Sequence, residues 1–252
     1  MSTQGKQQIL VGISLLLVTV LFLAPRIPQD PSYHLFADQT ARFSIPNALD
    51  VASNFLFAWV GCLGLIKLRN RQLKLNDKPR AAYPLFFASL MLVAFGSGYY
   101  HWSPDNQSLV WDRLPMTLAF MSFFSILLAE RVSQNFGNRI FPVLIVAGII
   151  SVLYWHWSES SGSGDLRPYI LVQFLPILLT PLILVMFPSR FTKTSYLWWF
   201  LGWYLAAKGL ELLDHTIYEW LSISGHSLKH IAAGIGCLIY LRHLQLREKI
   251  PA

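Results

Sequence analysis

The sequence predicts an all-α, polytopic membrane helical bundle, and three observations lead there. Apolar runs of about 20 residues, the length that crosses a roughly 30 Å hydrocarbon layer, recur along the whole chain. Charged residues make up 13% of the 252 residues and hydrophobic ones 54%, whereas a soluble domain carries about 25% charged residues. Lys and Arg also segregate to alternate loops. In lipid the backbone must satisfy its own hydrogen bonds, and runs of this length are helices rather than barrel strands.

The first run, 8–24, follows Lys6 as the sole preceding charge and shows no small-x-small site before Pro25. It exceeds the usual signal-peptide core of about 7–15 residues and reads as a retained helix. The second, 46–66, opens on "IPNALD" and leads into the basic connector "RNRQLKLNDKPR". The third, 83–101, ends in "FGSGYYHW", and the fourth, 109–129, begins at "LVWDRLPM". The fifth, 140–157, leads into the polar connector "SESSGSGDLRP", and the sixth, 168–187, follows it. The seventh, 196–216, carries "AAKGLELLDH", and the eighth, 226–243, opens on "GHSLKH". Pro115, Pro176 and Pro181 fall inside runs, where proline kinks a helix. Cys62 and Cys237 also lie inside runs and read as small core hydrophobes, with no disulfide framework or zinc finger. No fixed-period repeat is visible, which weighs against inverted-repeat transporters.

The net charge of +7 is a topology signal rather than a nucleic-acid footprint. With eight crossings, 14 of the 20 Lys and Arg fall on the side that holds both termini. Arg26, Arg42 and Arg167 lie on the other side, and Arg113, Lys208 and Lys229 lie in or against helices. Cytoplasmic loops are the cation-rich ones, so both termini are expected in the cytoplasm of a multi-pass cell-membrane protein.

Ionisable groups inside a span are costly and mark function by default. Ser97 and His101 end the third run, Asp112 begins the fourth, and His226 and His230 begin the eighth. The topology brings all five to one depth on the non-cytoplasmic side. Residues four apart share a helix face, so His226 and His230 have the spacing of a helical zinc site. His101 supplies a third imidazole and leaves the fourth position open to water, a catalytic rather than structural pattern. Ser97 shares the face of His101, and Asp112 is placed to accept a proton from that water. Each feature has a plainer explanation alone: interfacial imidazoles, a packing serine, an acidic residue favoured at a helix N-terminus. Their convergence carries the reading.

At these residues the sequence resembles the alkaline ceramidase family, within the wider CREST group of seven-helix membrane hydrolases. The resemblance rests on Ser-x-x-x-His in "SGYYH", the Asp of "WDRLPM" and His-x-x-x-His in "HSLKH", in that order. It implies a seven-helix ceramidase-like catalytic bundle over 46–252, preceded by an extra transmembrane helix and external loop over 1–45. It implies zinc on His101, His226 and His230, Asp112 as the base and Ser97 at the oxyanion. It also implies a calcium site before and within the second helix, where Asp38, Asn47 and Asp50 are the candidate ligands. Asn47 and Asp50 serve equally as caps of that helix. The chain departs from the family's usual pattern at Arg113, where an acidic residue commonly follows the Asp.

The expected function is zinc-dependent hydrolysis of the amide bond of a ceramide-like lipid to a fatty acid and a sphingoid-type base. No nucleic-acid partner is expected. The alternative is a receptor or transporter whose polar cluster binds a metal without catalysis. A rhomboid-like serine protease is disfavoured, because Phe95 stands where such enzymes have Gly. In the seventh run, Lys208, Glu211, Asp214 and His215 read as buried pairs, or else as a headgroup wall or support for the zinc histidines.

Overall fold

The computed structural model describes residues 1–251 as a helical bundle with no strand among them. The helices are α1 (Thr3–Leu23), α2 (Ala48–Ser53), α3 (Phe55–Arg69), α4 (Ala82–Trp102) and α5 (Ser108–Arg131). They continue with α6 (Gln134–Ser160), α7 (Arg167–Met186), α8 (Ser195–Leu212), α9 (Asp214–Leu221) and α10 (Gly225–Leu246). Among the described residues six stretches are long and apolar enough to span a membrane: α1, Ala48–Arg69, α4, α5, α6 and α7. The other two expected spans, α8 and α10, carry Lys208 and Glu211, and His226, Lys229 and His230. Their polarity is turned into the bundle, so composition alone undersells them.

Two expected runs are each divided. The second breaks at Asn54, between α2 and α3. The seventh stops at Leu212, and the chain turns at Leu213 into α9. The turn frees Asp214 from α8 and lets its carboxylate accept from the Ala37 and His226 amides, at 3.0 and 2.9 Å. The prolines stay inside their helices: Pro115 in α5, and Pro176 and Pro181 in α7.

The centre of the bundle is α5, which packs against α4, α6 and α7. Its Phe123, Ile126 and Leu127 meet Phe86 and Phe87 of α4 and Tyr240 of α10 in one buried cluster. In turn α10 lies against α3 and α8. By contrast α1 fully buries only Leu10; Ile13 and Leu17 rest partly on the core, and Val11, Leu15, Leu16 and Val20 face outward. It leans on α7, where Arg167 Nη1 donates to the Phe22 and Ala24 carbonyls at 3.1 and 2.6 Å.

The end of the bundle away from the histidines is locked by a buried ion pair. Arg247, 0% exposed, reaches Glu130 with two donors at 2.7 and 2.8 Å. The Tyr83 hydroxyl donates to the same carboxylate at 2.6 Å, and the guanidinium stacks 3.9 Å from the Phe191 ring centroid. The charge pattern marks Arg247 and Arg131 as loop cations, yet both are buried. Removing one member of a buried pair costs about 3–5 kcal/mol, because its partner stays behind uncompensated. Arg247→Met should therefore lower the midpoint of thermal unfolding in detergent much more than the double change Arg247→Met with Glu130→Leu. Equal losses would show that the pair contributes no more than packing.

Candidate active site

The site is assembled where α10 begins. Ser224 caps the helix, its hydroxyl accepting from the Ser227 amide at 2.9 Å. Asp50 of α2 receives the Ser224 and Ser227 hydroxyls at 2.9 and 2.5 Å, and Asp214 receives the His226 amide. Two carboxylates thus hold the donor-rich end of α10, as its orphan amides and dipole favour. Gly225 makes the junction possible. A Cβ there would come within 2.3 Å of the Leu210 carbonyl.

With α10 so placed, His226 and His230 project from one face with ring centroids 5.1 Å apart. His101, in the last turn of α4, lies 4.8 and 5.0 Å from them. All three are buried, and each offers a ring nitrogen within 4.8 Å of the others'. The Ser53 hydroxyl donates to the Asp50 carbonyl at 3.0 Å and stands 2.8 Å from His230 Nδ1. With that hydrogen on the Asp50 carbonyl, His230 Nδ1 can donate to the hydroxyl oxygen and leave the Nε2 lone pair free. His101 Nδ1 and His226 Nε2 are buried with no hydrogen-bond partner. Unmatched imidazole nitrogens in a three-histidine cluster suit a borderline-soft divalent cation, and this group can hold a metal.

Ser97 and Asp112 come together because α4 and α5 meet backbone to backbone beside them. A Cβ on Gly96 would stand 2.0 Å from the Trp111 carbonyl oxygen. That carbonyl is the one whose helical donor Pro115 removes, so it is free to face Gly96. Ser97, Asp112 and His230 all line one cavity of about 270 Å³. Its remaining wall is largely apolar and includes Phe86, Leu90, Phe120 and Phe123.

The structure brings together the five residues that the sequence motifs singled out. The candidate calcium ligands behave otherwise. Among the described residues the histidines are the group of His, Cys, Asp and Glu within ligand distance, and neither Asp38 nor Asp50 joins such a group. Asp38 accepts from the Thr40 amide, and Asp50 meets Ser224 and Ser227 through Oδ1 alone, its Oδ2 being buried without a partner. Asn47 occupies the cap position of α2 without capping it; its side-chain amide donates to the His101 carbonyl at 2.8 Å.

Other participants carry no motif. Phe36, from the loop after α1, packs against His101 and His226 with centroids 4.6 and 4.7 Å away. Tyr33, in a 3-10 turn at Pro31–His34, lines the cavity, and burial pushes its phenol well above the usual range. Glu211 is held by Lys208 at 2.5 Å and by Lys229 at 2.6 Å, not by His215, which is exposed. The i, i+3 spacing shows the first of these pairs; the second joins α8 to α10 and has no local signal.

No curated protein matches the chain. The family model described as Ceramidase matches residues 43–250, a span that holds the three histidines, Ser97 and Asp112 and leaves α1 outside. With membrane-length helices, a buried three-histidine cluster and a match over most of its length, the chain belongs to the ceramidase family.

Proposed function

We propose that the protein is a zinc-dependent membrane hydrolase that cleaves the amide bond of a ceramide-like lipid. Membership in the ceramidase family supports hydrolysis of a lipid amide. The observation that carries the zinc reading is the pair of unpartnered ring nitrogens, on His101 and His226, beside a His230 oriented by Ser53. His101, His226 and His230 would hold the ion. When bound, zinc supplies Lewis-acid polarisation and a water acidic enough to ionise near neutral pH.

The chain's own groups divide the remaining work. Asp112 accepts the proton of the attacking water and returns it to the leaving amine, so no proton is gained or lost over the cycle. The Ser97 hydroxyl donates to the oxygen that becomes negative as the carbonyl carbon turns tetrahedral. Phe86, Leu90 and Phe123 give a hydrocarbon chain an apolar surface and keep bulk water from the reacting atoms.

Replacing both His226 and His230 with Ala should remove stoichiometric zinc from the purified protein, read by elemental analysis. Ser53→Ala should weaken zinc retention against a chelator by roughly 10–100-fold, as expected for a partner that orients a ligand. Zinc retained by the double variant would end the assignment.

The same proposal puts the site on the non-cytoplasmic face with both termini inside. Gln107, beside the site, and Asp77, in the basic connector, are both exposed. A cysteine at Gln107 should react with an impermeant thiol reagent on intact cells, and one at Asp77 only after lysis. The opposite pattern would reverse the topology.

Asp112→Asn should keep its zinc and lose roughly 10²–10⁴ in turnover of a lipid amide, the contribution of a positioned general base. Ser97→Ala should lose at most the roughly 10²–10³ of one oxyanion donor. Normal turnover by zinc-loaded Asp112→Asn would show that another group is the base. A wild type that binds zinc and hydrolyses no lipid amide would favour a receptor or transporter.

A further inference from the structure

Arg113 is a buried cation without an anion. It is 5% exposed and lines the same cavity as Ser97 and Asp112. Its Nη2 donates to the Gln29 side-chain oxygen at 2.7 Å, while Nη1 is buried with no partner. Trp155, Tyr169 and Tyr33 surround the guanidinium, with ring centroids 4.1, 4.6 and 5.7 Å from its central carbon. The Trp155 indole N–H is a second buried donor without a partner. Among the described residues no carboxylate forms an ion pair with Arg113.

Such an arrangement is costly to leave empty. A buried charge needs a partner, and π-faces with one neutral amide replace only part of its lost hydration. The rest of the cavity does not supply the missing charge. Lys208 and Lys229 share Glu211, so three cations on the wall stand against two carboxylates, Asp112 and Glu211. A planar guanidinium held by stacked rings is suited to an oxyanion, which it grips with parallel donors. Gln29 and Tyr33 come from the loop after α1, at the end of the bundle where the reacting groups lie.

We infer that Arg113, framed by Gln29, Tyr33, Trp155 and Tyr169, is a subsite for an oxyanion on the polar part of the lipid substrate. The group is a phosphate, sulfonate or carboxylate, so the preferred lipid amide is anionic rather than neutral. This inference rests on the hydrolase reading for the word substrate; the anion site itself does not. The other source of an oxyanion in this cavity is the carboxylate released by hydrolysis.

The test compares ceramide 1-phosphate with ceramide of the same acyl chain, using zinc-loaded protein in detergent. Wild type should favour the phosphate by roughly 10–100-fold in kcat/KM, the range of a hydrogen bond to a charged group. Arg113→Gln should bring the ratio toward one, and Arg113→Lys, which keeps the charge but not the fork, should fall between. Calorimetry supplies the arm that needs no turnover: wild type should bind hexadecyl phosphate at least about tenfold tighter than hexadecanol, a margin that Arg113→Gln loses. If neither ceramide is hydrolysed while that margin stands, the anion site holds and the hydrolase reading falls. Equal rates on both ceramides, with palmitate binding dependent on Arg113, would assign the site to the product and overturn the inference. Equal binding of hexadecyl phosphate and hexadecanol, or a parallel fall on both ceramides in Arg113→Lys, would reduce Arg113 to a structural role and overturn it too.

Discussion

The site depends on how the first turn of α10 is held. A helix that begins inside a bundle presents amides without helical partners, and in a water-poor setting these must be met by side chains. Asp50 and Asp214 meet them, one through the Ser224 and Ser227 hydroxyls and one at the His226 amide. Neither carboxylate belongs to α10, and both lie far from it along the chain or across a turn. Their grip sets the rotation of α10 about its own axis. A helix turns 100° per residue, so a small error there would swing His226 and His230 away from His101.

A second constraint brings the remaining groups to the same place. The approach of α4 and α5 is limited by what stands between them, and at Gly96 nothing does. Pro115 contributes from the other helix by leaving the Trp111 carbonyl without its helical donor. The motif residues Ser97 and Asp112 follow directly on Gly96 and Trp111 in sequence. Their neighbours therefore do the positioning, and the motif reads as a packing device as well as a candidate catalytic one.

The sequence made legible what is encoded by local spacing. The i, i+4 intervals of Ser97 with His101 and of His226 with His230 are helix geometry, and the apolar run lengths and cation pattern are bilayer geometry. What escaped it involves pairing across large separations or a change of helix direction. Phe36 against the histidines, Lys229 with Glu211 and Ser53 with His230 leave no periodic trace. The turn at Leu213 lies inside an apolar run, and the demand that creates it, an Asp facing another helix's amide, is visible only in three dimensions. The pairing of Arg247 left no trace for the same reason: the charge pattern gives its side of the bundle, and its carboxylate in α5 lies 117 residues away.

The loop between α1 and α2 shows how a segment outside the family match becomes part of the cavity. Residues before 43 carry none of the motif groups, yet Phe36 rests on two of the histidines and Tyr33 on the cavity wall. The loop is fastened on both sides of these residues. The Gln29 amide donates to Glu159 at 3.0 Å, the Leu166 amide to the Ile27 carbonyl at 2.8 Å, and Ala37 to Asp214. A loop fixed at three points loses most of its conformational freedom on folding, and each fastening has to offset part of that loss. A connector that served only to join two helices would gain nothing from such fastening. Asp214 makes the coupling explicit, because one carboxylate holds both the loop at Ala37 and the helix at His226. The cover over the histidines and the helix that carries two of them are thereby positioned by the same side chain, and a shift in one is felt by the other.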